Sequence, residues 1–457
     1  LRMGRQAGVA MHLSSLPGDH GIGDIADSAT AFVDRLVEMQ IGVWQFLPLG
    51  PTAYGDSPYQ PLSAFAGNAN LIGLKPLLRL GLLHEGELRE LADLPREYVD
   101  FGRLIPLKRA LLTRAAERFH AREGGGLKAE YEEFLHANAT RWLDDYALFR
   151  VLKTAHDQRP WTEWEPAFVH REAAALARVR DEFHATIERS RITQFLFDRQ
   201  WRALKAYAGE RGICLFGDMP IYIALDSADA WAHPEMLLLD RDGRPSAVAG
   251  VPPDYFSEDG QLWGNPLYDW AYHERTGFGW WVERVRHAAR QSDLVRIDHF
   301  RGFEAFWSVP YGEQTAKNGE WIPGPGDALF LALEQALGQL PIVAEDLGVI
   351  TPAVDALRES HGIPGMVVLQ FEVGDPDFDL ESIGENSVCY TGTHDNDTTL
   401  GWFRGNGDDT RTAQEIEATR ARALELTGGT PETIHLDMIR LAFASRAAIA
   451  VAPMQDF

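Results

Sequence analysis

Short apolar runs, several rich in Val and Ile, recur along the chain with helical stretches between most of them. They are GVAMHL (8–13), VWQFLPL (43–49), ICLFGDMPIY (213–222), LVRIDHF (294–300), PIVAEDL (341–347), GMVVLQF (365–371), SVCYTGTHD (387–395) and AIAVAPM (448–454). Near-continuous hydrophobic strands belong to a parallel sheet covered on both faces. Eight of them alternating with helices predict an α/β fold, a closed (β/α)8 TIM barrel. A doubly wound open sheet is the alternative. Two connecting helices carry clear punctuation. Ser28 is placed to cap a helix whose Ala29, Phe32, Val33, Leu36 and Val37 share a face, with Gly42 after it. Thr351 and Pro352 supply a cap and a first-turn proline before Val354 and Leu357, with Gly362 as the stop.

Between the second and third runs lie far more residues than one βα unit needs. Residues 71–190 read as a helical insertion within a single catalytic domain (1–457), because no Pro/Gly/Ser linker isolates them. A second insertion, 223–275, lacks periodicity and is dense in Pro, Gly, Asp and Trp, as an irregular lid over the barrel mouth would be. Only QDF follows the eighth run in VAPMQDF, so the expectation is that this chain lacks the final barrel helix or fills its groove with another element.

Composition narrows the function classes. The 457 residues carry 43 Lys and Arg against 67 Asp and Glu, a formal charge of −24 that repels phosphate backbones and anionic lipid, so nucleic acid is not expected as a partner. No run of about 18 apolar residues suggests a membrane span and no export signal is evident. The two cysteines, Cys214 and Cys389, provide no disulfide framework, and the chain reads as cytoplasmic, a monomer or small homo-oligomer. Its 13 Trp and 23 Phe suit sugar faces, though most such rings fill cores.

In barrels of this type active groups gather where the strands end. Those ends carry Asp218 after the third strand, Arg296 and Asp298 on the fourth, Glu345 on the fifth, and His394 with Asp395 on the seventh. Each has a structural reading: Asp298 as an ion-pair partner of Arg296, Glu345 with Asp346 as a helix-capping pair, HDND as a turn bonding its own backbone. Together they would crowd carboxylates at one mouth without purpose. Two carboxylates in unlike environments are what glycosidic bond chemistry requires, one ionised to attack the anomeric carbon and one protonated to donate to the leaving oxygen. Asp298, beside Arg296, suits the first role. Glu345, after PIVA and before Asp346, suits the second, since apolar surroundings and a neighbouring negative charge both raise its pKa.

These residues resemble a known family. VRIDHFRGF, VAEDLGVIT and YTGTHDNDTT are similar to signatures of the α-amylase clan. With WQFLPLGPTAYGDSPYQPLSAFAGN, GDMPIYIALDSADAW and VPPDYFSEDGQLWGNP, the chain looks like an amylomaltase, the 4-α-glucanotransferase or disproportionating-enzyme family. The combination of YGDSPYQ with GQLWGNP is the specific part. The resemblance implies a retaining double displacement on α-1,4-glucans without metal or organic cofactor. It makes Asp298 the nucleophile, Glu345 the general acid/base and Asp395 the transition-state stabiliser. It further implies that Arg296 keeps Asp298 anionic, that Asp218, His299 and His394 bind sugar hydroxyls, and that Tyr59 and Trp263 flank the sugars. Phe256 and Trp263 of the lid are expected to exclude water and hold an acceptor glucan.

Three rivals remain: a hydrolase or branching enzyme of the same clan, a metal-dependent hydrolase built on His12, Asp298, His299, His394 and Asp395, and a catalytically silent glucan-binding protein. Strand alternation argues against the metal reading, since Asp298 and His299 point to opposite faces.

Overall fold

In a computed structural model, which describes residues 4–254, 257–405 and 410–457, each of the eight apolar runs contains one strand of a single parallel sheet. In chain order these are β1 (Gln6–Ala10), β2 (Val43–Gln45), β3 (Cys214–Pro220), β4 (Leu294–Asp298), β5 (Ile342–Ala344), β6 (Gly365–Val368), β7 (Ser387–Tyr390) and β8 (Ile449–Pro453). Every strand from β1 to β4 pairs with its successor, β6 pairs with β7 and β7 with β8, and β8 returns to β1. The last seam, between β5 and β6, is bridged by the Ala344 N–H donating to Pro364 O at 2.8 Å. This is the closed (β/α)8 barrel, not the open sheet. Its interior is packed with Val43, Phe216, Leu294, Val343, Met366, Val388, Ile449 and Val451. Crowding there explains Gly8, where a Cβ would sit 3.0 Å from Val451 Cγ2 and 3.2 Å from Val43 Cβ.

The helix Asp27–Glu38 buries Ala29, Val33 and Leu36 as the pattern predicts. Its start is not capped by Ser28: the Asp24 carboxylate, upstream, accepts from the N–H groups of Ala26 (2.9 Å) and Ser28 (3.1 Å). Val37 turns outward and is 43% exposed. Thr351 does stand immediately before the helix Pro352–Ser360, although its side chain makes no capping bond there.

Between β2 and β3 the chain forms the helices Phe101–Ala121, Lys128–Asn138, Asp144–Ala155 and His184–Glu210. The last has 27 residues and runs through position 190, so no boundary falls there; it buries Phe195, Phe197, Trp201 and Leu204 on its way to β3. Two glutamines on it fasten the loop after β2. Gln194 exchanges hydrogen bonds with both backbone groups of Gly67 (2.8 and 3.0 Å), and Gln200 does the same with Gly73 (2.7 and 2.9 Å).

The segment 223–275 is not structureless. It contains the helix Ala228–Ala232 and the strands Ala247–Val251 and Gln261–Pro266. These strands join Ala305–Pro310 and Glu320–Pro323, from the segment after β4, in a four-stranded antiparallel sheet. The ordered partner is distant in sequence, which is why local periodicity missed it. Among the described residues no helix is long and apolar enough to cross a membrane.

Candidate active site

The register of the sheet brings the charged strand ends together. Asp218 of β3 lies directly opposite Arg296 of β4, and Ile297 lies opposite Ala344, the residue before Glu345. Arg296 is 2% exposed. Its Nη1 donates to both oxygens of Asp218 (2.9 and 2.7 Å) and its Nη2 to Asp298 Oδ1 (2.6 Å). One guanidinium thus faces two carboxylates, a planar fork suited to that task where an ammonium would not be.

Glu345 has no such direct cation. Its Oε2 accepts from the His299 N–H (2.7 Å) and its Oε1 from the Leu347 N–H (2.9 Å). Burial pushes its carboxyl up to about 7; the pull of Arg296 and the two N–H bonds opposes this, and the charge of Asp298 adds to it. The expected rise is therefore present, but Asp346 is not its source. That carboxylate points away, accepting from Met366 N–H (2.7 Å) and pairing with Arg358 (3.1 Å). Burial also raises Asp298, against the attraction of Arg296, so the simple expectation of a carboxyl depressed by its cation is corrected in direction. Of the two carboxyls, Asp298 is the one in contact with a guanidinium.

Tyr59, carried in by the loop that Gln194 and Gln200 fasten, donates its hydroxyl to Asp218 Oδ2 at 2.5 Å. Its oxygen also lies 2.7 Å from His394 Nε2, and the two rings stack at 5.4 Å, 7° from parallel. With the phenol proton committed to a carboxylate, His394 Nε2 carries the hydrogen and donates to Tyr59. The same nitrogen is 3.3 Å from Asp395 Oδ1, whose side chain is 71% exposed to the mouth. HDND is indeed a self-bonded turn: Asn396 Oδ1 accepts from Thr393 N–H (2.8 Å), and Thr393 Oγ1 accepts from Asp395 N–H (3.2 Å). That turn is also what presents Asp395 at the mouth.

His299 departs from strand alternation. Its φ of 59° lies in the left-handed region, and its buried ring, held neutral with a pKa near 3, packs edge-on against Trp263 at 4.7 Å. Trp263 therefore reaches the site from the antiparallel sheet. Phe256 lies outside the described residues. His12, at the end of β1, joins the same mouth: burial lowers it to about 4, with His394 and Asp218 as its charged neighbours. The sequence pattern places His12 only in the metal set. Its place at a strand terminus was the signal that it belongs with the others. No three His, Cys, Asp or Glu side chains among the described residues converge as a metal site requires.

The chain matches the model of the family described as 4-alpha-glucanotransferase over residues 11–457. It is 46% identical to the 4-alpha-glucanotransferase of Synechocystis sp., over 99% of this chain and 89% of that protein. It is 45% identical to the Thermus thermophilus enzyme of the same name, over 100% and 91%. Among solved structures, an amylomaltase from Streptococcus agalactiae in complex with acarbose superposes with a TM-score of 0.92 at 38% identity, covering 99% of this chain and 90% of that one.

Proposed function

This chain belongs to the 4-alpha-glucanotransferases, and from that membership we propose that it moves α-1,4-glucan segments between donor and acceptor chains by a retaining double displacement. Asp298 is the nucleophile: its carboxylate oxygen bonds to the anomeric carbon as the glycosidic C–O bond breaks. Glu345 gives its proton to the departing oxygen. The carboxylate so formed then takes the proton of an acceptor hydroxyl, whose oxygen attacks the anomeric carbon and releases Asp298. Two inversions restore the α configuration. Asp395 faces the developing positive charge, and Asp218, His299 and His394 hold hydroxyls of the sugar being transferred. Tyr59 and Trp263 are aromatic walls on either side.

The observation that carries this reading is the unequal treatment of two neighbouring carboxyls. Asp298 touches Arg296, while Glu345 is held by backbone N–H groups and titrates near 7, the division of labour that a nucleophile and an acid need. Maltotriose is the test substrate. The expected products are a ladder of longer and shorter glucans with little growth in total reducing ends, which separates transfer from hydrolysis. Asp298→Asn should abolish the ladder with the fold retained, and a ladder that persists would overturn the assignment.

A further inference from the structure

The loop that follows Glu345 is short of anchors on its exposed side. Gly348, at φ 86°, and Val349, 56% exposed, have little packing of their own. Yet Leu347 in this loop supplies one of the two N–H groups on the Glu345 carboxyl. What holds the far side is Arg301, from the turn Phe300–Phe303 directly after β4. Arg301 is 6% exposed. Its Nη1 donates to the Val349 carbonyl, and its guanidinium lies over Trp321, 3.8 Å from the ring centroid. Trp321 sits on the edge strand Glu320–Pro323 and packs edge-on against Trp307 at 5.2 Å. Glu304 stands 3.7 Å from Nη2.

Resting on the assignment of Glu345 as acid/base, we propose that Arg301 is a positioning residue for it: a staple between the Glu345 loop and the antiparallel sheet that keeps the Leu347 N–H on the carboxyl. The chemistry fits. A carbonyl oxygen needs a donor, an indole face attracts a cation, and a guanidinium does both at once from one plane. Asp346 tethers the same loop on its other side through Met366 N–H and Arg358, so the two anchors bracket Leu347. The antiparallel sheet also delivers Trp263, so the acid and the aromatic wall are located by one body.

The test reads protonation as well as rate. A backbone N–H on the carboxylate favours the charged form, so loss of the Leu347 bond raises the Glu345 pKa. The other groups facing Glu345, Arg296 and Asp298 on β4, with Asp218 paired to Arg296 and Asp395 and His394 near Asp298, are left in place. Arg301→Met should therefore move the basic limb of the kcat profile for maltotriose transfer upward by about 0.5 in pH and lower kcat about 10-fold, with KM little changed. Arg301→Lys keeps a donor for Val349 and should lie between the two. Trp321→Ala, which removes the stacking platform, should shift the limb in the same direction by less. A folded Arg301→Met enzyme with an unmoved basic limb overturns the proposal, as does an effect confined to KM. Glu345→Gln run alongside separates the two readings: if it retains transfer, the acid assignment has failed; if it is dead while Arg301→Met keeps its limb, only the staple has.

Discussion

Replacing Arg296 by Met removes a single cation from between Asp218 and Asp298 and leaves the shape of the stem. Two unit charges about 4 Å apart attract by about 4 kcal/mol at an effective dielectric constant near 20, and 1.36 kcal/mol moves a pKa by one. Withdrawing that attraction should lift Asp298 further above its ordinary value, because burial and the charges of Asp218 and Asp395 are then opposed by less. Glu345 itself titrates at about 7, so the pH range in which Asp298 is ionised while Glu345 is still protonated narrows. Activity at the optimum should fall about 100-fold, and the acid limb of kcat/KM should move up by two to three in pH, about what the Coulomb figure gives. The measurement is a pH–rate profile for maltotriose transfer on folded protein. Stability follows the same sign: unpaired buried carboxyls have folded-state pKa values above their unfolded ones, so the variant loses stability as pH rises through them. Breaking such a pair costs about 3–5 kcal/mol. Its melting temperature should therefore fall further below the wild type at pH 8 than at pH 5, and Asp218→Asn in the same chain should return part of the loss. An acid limb that stays put in folded Arg296→Met refutes the electrostatic account of the nucleophile.

In the wild-type enzyme, rate should decline as pH rises through about 7, where Glu345 loses its proton, and Glu345→Gln should abolish that limb together with at least 99% of transfer, on the order of the contribution expected of a general acid. Replacing both Phe256 and Trp263 with Ala should raise the ratio of hydrolysis to transfer severalfold, read as glucose and reducing ends per disproportionation event; an unchanged ratio sinks the water-exclusion account. Asp456, 3% exposed, accepts from Thr399 N–H and Oγ1 at 2.7 Å each. Asp456→Ala should cost about 1–3 kcal/mol in a denaturant melt by stranding buried donors.

The barrel was legible because its strands are buried on both faces and announce themselves as unbroken apolar runs. Few charged residues interrupt those runs, so Asp218, Arg296, Asp298 and Glu345 stand out in the sequence. What stayed hidden depends on direction or distance. Asp346 adjoins Glu345 in sequence but turns to Met366 and Arg358. The helix start at Asp27 is served by Asp24 rather than by Ser28, which lies inside the first turn and itself donates to Asp24. QLWGNP lies in a segment without periodicity and becomes strand only through pairing with Ala247–Val251, itself held by Ala305–Pro310.

Arg296 draws its two ionic partners from different parts of the chain, Asp218 from β3 and Asp298 from its own strand. A polypeptide severed between residues 220 and 294 would leave one fragment with an uncompensated acid and the other with a guanidinium facing Asp298 alone. Neither piece holds a charge-balanced mouth, so the catalytic centre comes into being only when the two parts dock edge to edge, and its assembly is inseparable from closure of the cylinder.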